Sequence, residues 1–275
     1  MSGRSFLHRM ADASHARVRR AVALETESQL INRARATHPP QQLRLDKFDI
    51  IAELKLRSPA AGGLAEGDFD RARQLEAYAQ GGAAAISVLT EPGEFKGELD
   101  HLSDAAAALG TQPCPLMRKD FLTEPYQVIE ARAAGASGVL IIVTMLNDTE
   151  VAALVDCARE FGLFVLLEAF DETDLARISA FAVGQDNASL TLAGVNCRNL
   201  ADLKVDFGRF STLAPHLPRH LPSVAESGIS SAADVTKVAT FGYQLALVGS
   251  ALMLAADPAQ SLRELVSAGR AARSV

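Results

Sequence analysis

The sequence predicts a (β/α)8 barrel of the TIM type, and three observations carry that reading. Short apolar runs alternate with amphipathic stretches eight times along 275 residues, at intervals of roughly 23 to 35 residues. Helix-starting and helix-ending residues fall between the runs. Charged side chains on the inward face of the runs cluster toward their C-terminal ends. Strict alternation implies parallel strands with right-handed crossovers, and eight such units fit a closed barrel better than an open doubly wound sheet.

The runs are 49–56, 83–90, 114–121, 138–143, 163–170, 191–198, 222–227 and 245–250. Pro125 takes a first helical position, Ser231 to Asp234 reads as a capping box, and Asp257-Pro258 opens the last helix. Gly135, Gly162 and Gly242 end helices just before the next run. No linker divides the chain, so residues 1–275 are expected as one domain, with 46–275 as the barrel. Residues 1 to about 45 read as an extra helix and a polar connection, His38-Pro39-Pro40-Gln41-Gln42, which either plugs the bottom of the barrel or crosses its top.

Composition excludes several function classes. A net charge of -6 offers no footprint for nucleic acid or an anionic membrane. The Arg-rich start (Arg9, Arg17, Arg19, Arg20) reads as the solvated face of a helix whose apolar side carries Phe6, Leu7, Met10, Val18 and Val22. Three widely spaced cysteines signal neither disulfides nor a zinc site and suit a reducing, cytoplasmic setting. No apolar stretch reaches the length of a membrane span.

Side-chain parity locates the chemistry. In the first run Ala52, Leu54 and Leu56 share a face, which leaves Ile51, Glu53 and Lys55 on the other. Met117, Lys119 and Phe121 group likewise, as do Phe164, Leu166 and Glu168, and Gly194, Asn196 and Arg198; the seventh run ends Glu226-Ser227-Gly228. Inward charges are costly unless they pair or serve catalysis. Their concentration at strand ends matches the rim where barrel active sites assemble. The last two runs end in ESGI (226–229) and VGSALM (248–253), whose small residues let backbone N–H groups approach an anion, so the ligand is expected to carry a phosphate.

The segments IAELKLRSP (51–59), ISVLTEPGEFKG (86–97), PLMRKDF (115–121), YQVIEAR (126–132), LLEAF (166–170), GVNCRNL (194–200), AESGI (225–229) and VGSALM (248–253) resemble indole-3-glycerol phosphate synthase from about Asp49 to Pro258. The resemblance implies ring closure of 1-(2-carboxyphenylamino)-1-deoxyribulose 5-phosphate with loss of carbon dioxide and water, without a cofactor or metal. It implies Lys119 as the acid and Glu168 as base and stabiliser of the cationic intermediate. Glu53 and Lys55 would serve dehydration, and Asn196 and Glu226 orientation or proton handling. Ser58 and Arg198 would meet the substrate carboxylate. Ser227, Gly228, Gly249 and Ser250 would hold the phosphate, and Phe121 and Leu140 would pack on the aryl ring. A desolvated Lys119 beside another cation is expected to have a lowered pKa.

The partner implied is a phosphorylated small molecule, bound by a monomer or weak homo-oligomer. Three departures from the family pattern stand out: Ala60 for serine, Phe170 for histidine and Cys197 for asparagine. They leave open a paralogue serving another indole pathway. A different phosphosugar isomerase would lack the ELK and RKDF segments together, and a non-catalytic barrel has no use for the inward charges.

Overall fold

The eight apolar runs become eight parallel strands that close on themselves: β1 (Asp49–Leu54), β2 (Ala85–Leu89), β3 (Leu116–Lys119), β4 (Gly138–Ile142), β5 (Phe164–Ala169), β6 (Thr191–Asn196), β7 (Ser223–Glu226) and β8 (Leu245–Val248). This is a computed structural model, and it describes residues 3–58, 62–64, 69–182, 190–198 and 204–273. Closure is made at β1, where Ile51 pairs in register with Leu247 of β8 and Ala85 of β2. A two-stranded antiparallel ribbon, Arg57–Ser58 with Gly62–Gly63, follows β1.

Helices alternate with the strands: α1 (Gly3–Leu24), α2 (Glu27–Ala36), α3 (Arg71–Gly81), α4 (Leu99–Leu109), α5 (Pro125–Ala133), α6 (Asp148–Glu160), α7 (Glu172–Ala182), α8 (Gly208–Leu213), α9 (Ala232–Thr240), α10 (Ser250–Met253) and α11 (Pro258–Ala272). The punctuation read from sequence sits where it was expected. Pro125 is the first residue of α5, Ser231 and Asp234 form the capping box of α9, and the Asp257 side chain accepts from Gln260 N–H. Gly135, Gly162 and Gly242 adopt φ of 91°, 70° and 104°, left-handed values that let the chain leave a helix and enter the next strand.

Parity separates two buried layers. Ile51, Met117, Leu140, Phe164, Leu166, Leu192, Val224 and Leu247 fill the barrel, whereas Ile50, Ala52, Leu54, Val139, Ile141 and Val165 face the helices. The interior is therefore solid below the polar rim.

The N-terminal extension is two helices rather than one, and it spans both ends. On α1, Leu7 and Met10 join the interior cluster, and Ser14 Oγ donates to the Phe121 carbonyl at 2.5 Å. That places α1 over the C-terminal rim. α2 runs along α5, and the connection beyond it lies under the barrel. There Arg132 donates to the carbonyls of Thr37 and His38, Gln41 N–H donates to Ser137 Oγ, and Leu43 and Leu45 pack on the interior cluster.

The expected split of α1 into an apolar and a solvated face needs two corrections. Val22 is 44% exposed, because the helix overhangs the barrel by then. Arg17 is half-buried and paired with Asp120, while Arg9, Arg19 and Arg20 do face solvent.

Candidate active site

The inward residues of the strand ends line one cavity of about 420 Å³ at the C-terminal rim. Glu53, Lys55, Lys119, Phe121, Leu140, Glu168, Asn196, Arg198, Glu226, Ser227, Gly228, Gly249 and Ser250 all reach it. Of the residues expected there, only Ser58 is unplaced, since its side chain and Ala60 lie outside what the structure describes. Lys55 and Arg198 stand just past the ends of β1 and β6, where the chain still keeps strand parity.

Two charged groups face each other across the barrel mouth. Lys119 Nζ lies 3.2 Å from Glu168 Oε2 and 3.2 Å from Glu226 Oε2, and Lys55 Nζ lies 2.7 Å from Glu53 Oε1. Burial works against the charge on Lys119, but Glu168, Glu226 and Glu53 outweigh it, so its pKa is raised well above the lysine range. This reverses the lowering expected from sequence. Strand register, invisible in the linear chain, surrounds the ammonium with carboxylates rather than with another cation.

The carboxylates divide by environment. Burial pushes Glu53 up, yet Lys55 and Lys119 together hold it below its ordinary value. Burial raises Glu226 well above the carboxylate range; Lys119 opposes this and the neighbouring Glu168 reinforces it. Glu226 Oε1 is buried without a hydrogen-bond partner among the described residues, in a space that exists because residue 194 is glycine: a Cβ there would stand 2.2 Å from that oxygen. A carboxyl group in this position binds a proton readily. Asn196 is oriented by the Arg198 backbone N–H, which donates to its Oδ1 at 3.0 Å.

The same cavity carries an apolar wall of Phe6, Leu7, Phe95, Phe121, Leu140, Ile142 and Phe170. Sequence reasoning placed Phe121 and Leu140 there and missed the others as site residues. Phe6 and Leu7 arrive from α1, and Phe95 from the loop after β2. Their only signals were the amphipathic face of the first helix and the EPGEFKG segment. The rings of Phe6 and Phe95 lie 6.0 and 6.2 Å from that of Phe121, within the range of aromatic association.

The segments expected to meet an anion follow β7 and β8. Ser227 has φ of 72° and Gly228 has 71°, a turn that strains the non-glycine residue. Gly249 and Ser250 open α10, whose first N–H groups lack partners within the helix. Gly249 also touches the charged pair: a Cβ would fall 2.4 Å from Glu53 Oε1 and 2.9 Å from Lys55 Nζ. Gly249→Val is therefore expected to raise KM and also to lower kcat by at least about tenfold. Steady-state kinetics check this, and an unchanged kcat would separate the glycine from the Glu53–Lys55 pair.

Both departures within the described residues are apolar adjustments. Phe170 is buried in the wall, its N–H donating to Asp174 Oδ2 at 3.0 Å and its carbonyl accepting from Arg209. Cys197 points away from the cavity, and its thiol donates to the Ser227 carbonyl at 3.3 Å, bracing the turn at Ser227–Gly228. Burial pushes Cys114, Cys157 and Cys197 each up to about 12. Reaction with a thiol reagent at about pH 8 should accordingly be slow in the native protein and fast after denaturation; rapid native labelling would contradict the burial.

Among the described residues no group of His, Cys, Asp and Glu could hold a metal ion, and no helix is long and apolar enough to cross a membrane. The fold is shared with solved barrels of low sequence identity. One is 3-hexulose-6-phosphate synthase from Salmonella typhimurium, with a TM-score of 0.60 at 15% identity over 80% of this chain and 98% of that one. Another is thiamine phosphate pyrophosphorylase from Pyrococcus furiosus, at 0.59 and 15% over 82% and 97%.

Sequence relatives are far closer. Indole-3-glycerol phosphate synthase of Nocardioides sp. is 44% identical over 82% of this chain and 83% of its own length. That of Parafrankia sp. is 41% identical over 82% and 81%, and that of Mycolicibacterium smegmatis 37% over 98% and 96%. The family model for indole-3-glycerol phosphate synthase matches residues 7–265, from the helix over the rim to the last helix of the barrel. With the rim charges, the Ser227–Gly228 turn and every wall residue but Phe6 inside that span, this chain belongs to the indole-3-glycerol phosphate synthase family.

Proposed function

We propose that the protein closes the indole ring of 1-(2-carboxyphenylamino)-1-deoxyribulose 5-phosphate, a decarboxylating and dehydrating lyase reaction that yields indole-3-glycerol phosphate for tryptophan biosynthesis. The observation that carries the reading is the Glu168–Lys119–Glu226 cluster facing an aromatic wall within one cavity. The substrate has matching halves: an aryl ring for the wall, and a phosphate for the Ser227–Gly228 and Gly249–Ser250 turns.

Lys119 donates from Nζ to the ribulose carbonyl oxygen as the ring carbon attacks. Its raised pKa does not bar this, because the alkoxide that develops is a far stronger base than an amine. Held charged, the ammonium also polarises the carbonyl before attack, without reorganisation. The carbon–carbon bond forms at the cost of aromaticity and leaves a cationic ring system, which Glu168 stabilises. Departure of carbon dioxide returns the electron pair to the ring. The new hydroxyl then leaves as water, with a proton from Lys55 and removal of a ring proton by Glu53. Arg198 meets the carboxylate until it departs, and Asn196 and Glu226 hold the hydroxyls and pass protons.

Three free cysteines suit a cytoplasmic enzyme, and a monomer or weak homo-oligomer is sufficient, since every proposed group comes from one chain. Mixing the pure protein with the carboxyphenylamino-deoxyribulose phosphate and following indole fluorescence tests the reading. Product formation supports it, and a silent assay ends it.

A further inference from the structure

Arg17 has no place in the chemistry above, yet it touches the supports of the cavity's aromatic wall. On α1, its guanidinium donates to Asp120 Oδ1 at 2.6 Å and stands 3.8 Å from Glu91 Oε1. Both carboxylates are almost wholly buried, and each organises a segment that ends in a wall ring. Glu91 accepts from the N–H groups of Gly93, Glu94 and Phe95 at 2.8, 2.7 and 3.1 Å, which folds the turn presenting Phe95. Asp120 accepts from Phe121 N–H at 2.8 Å, and also from Thr90 and Arg118. The third ring, Phe6, lies three helical turns before Arg17 on the same face of α1.

We propose that Arg17 is a positioning residue: it registers α1 against the Glu91 and Asp120 segments so that Phe6, Phe95 and Phe121 meet as one surface for the aryl ring of the substrate. This rests on the ring-closure reading of the cavity. Without the guanidinium, Glu91 keeps three N–H donors and Asp120 keeps Arg118, Thr90 and Phe121 N–H, so the barrel retains its hydrogen bonds. Leu7, Met10 and Ser14 still hold α1 near the rim. What is lost is the alignment of Phe6 with rings carried by two other segments.

The test compares wild type, Arg17→Met and Arg17→Lys with the substrate, and with ribulose 5-phosphate as a competitive inhibitor that carries the phosphate but no ring. Arg17→Met should raise KM for the substrate about tenfold, as expected for a lost aromatic contact, while ribulose 5-phosphate inhibition stays within about twofold. Arg17→Lys, which reaches one carboxylate at a time, should recover part of the loss. An unchanged KM, or equal losses for both ligands, overturns the proposal. If Arg17→Met does not fold, Arg17→Lys decides alone: a KM raised about threefold with unchanged ribulose 5-phosphate inhibition supports it, and wild-type values for both overturn it. A wild-type protein that makes no indole product refutes the ring-closure reading instead.

Discussion

Lys119→Ala is expected to lower kcat by about 10³-fold, within the usual range for a positioned acid, and to change KM far less. The expectation follows from geometry. The ammonium is the cation held between Glu168 and Glu226, 3.2 Å from each, and it faces the cavity. The groups assigned to the phosphate lie on other strands, and those assigned to the aryl ring, Phe121 apart, on other segments of the chain, so ground-state binding keeps its anchors. Removing the lysine also leaves carboxylates facing one another across the barrel mouth. They take up a proton in its place, so the fold survives while the acid is absent. Single-turnover kinetics check the result, and near-normal turnover would exclude Lys119 as the acid. Lys119→Arg restores charge without the geometry of a compact donor, and should recover folding stability but little rate.

Glu226→Gln is expected to separate stability from activity. Burial raises this carboxyl well above its unfolded value, so folding favours the protonated form. Its contribution to stability is complete below the ordinary carboxylate pKa and is lost as pH rises through the folded value. Glutamine mimics the protonated form at every pH. The Tm of the variant should match wild type near about pH 4 and exceed it increasingly toward about pH 8, by about 2–4 °C for each kcal/mol of relief. Lys119 loses one partner but keeps Glu168 and the nearby charge of Glu53. Turnover should fall about 10²-fold, because an amide cannot pass a proton. Thermal denaturation across pH decides the point, and a variant less stable at every pH would mean that the Lys119 contact outweighs the relief. Glu53 carries the opposite sign: its lowered pKa adds stability above the carboxylate range that is lost on acidification.

These outcomes turn on features of different legibility. The strands, their parity and the helix boundaries at Pro125, Ser231 and Asp257 are local matters, set by periodicity and capping within a few residues. Parity alone turned Glu53, Lys119, Glu168 and Glu226 inward, and the ordinal position of ESGI and VGSALM pointed to an anion. Phe6 and Phe95 escaped because their role depends on where a helix and a loop come to rest. The amphipathic pattern of the first helix puts Phe6 on its apolar side but does not say against what. Arg17 was placed with the solvated arginines for the same reason, since its partners Asp120 and Glu91 lie more than seventy residues away.

Alternation, spacing and motif, which a chain carries in its own order, thus determined the barrel, its working end and its family. The tertiary structure alone decided that the extension serves both ends of the barrel, that Gly194 makes room for the Glu226 carboxyl, and that Lys119 is raised rather than lowered. The physical reason is common to all three. A pKa, a cavity wall and a docking surface are sums over neighbours in space, and the barrel takes those neighbours from strands that the sequence keeps far apart.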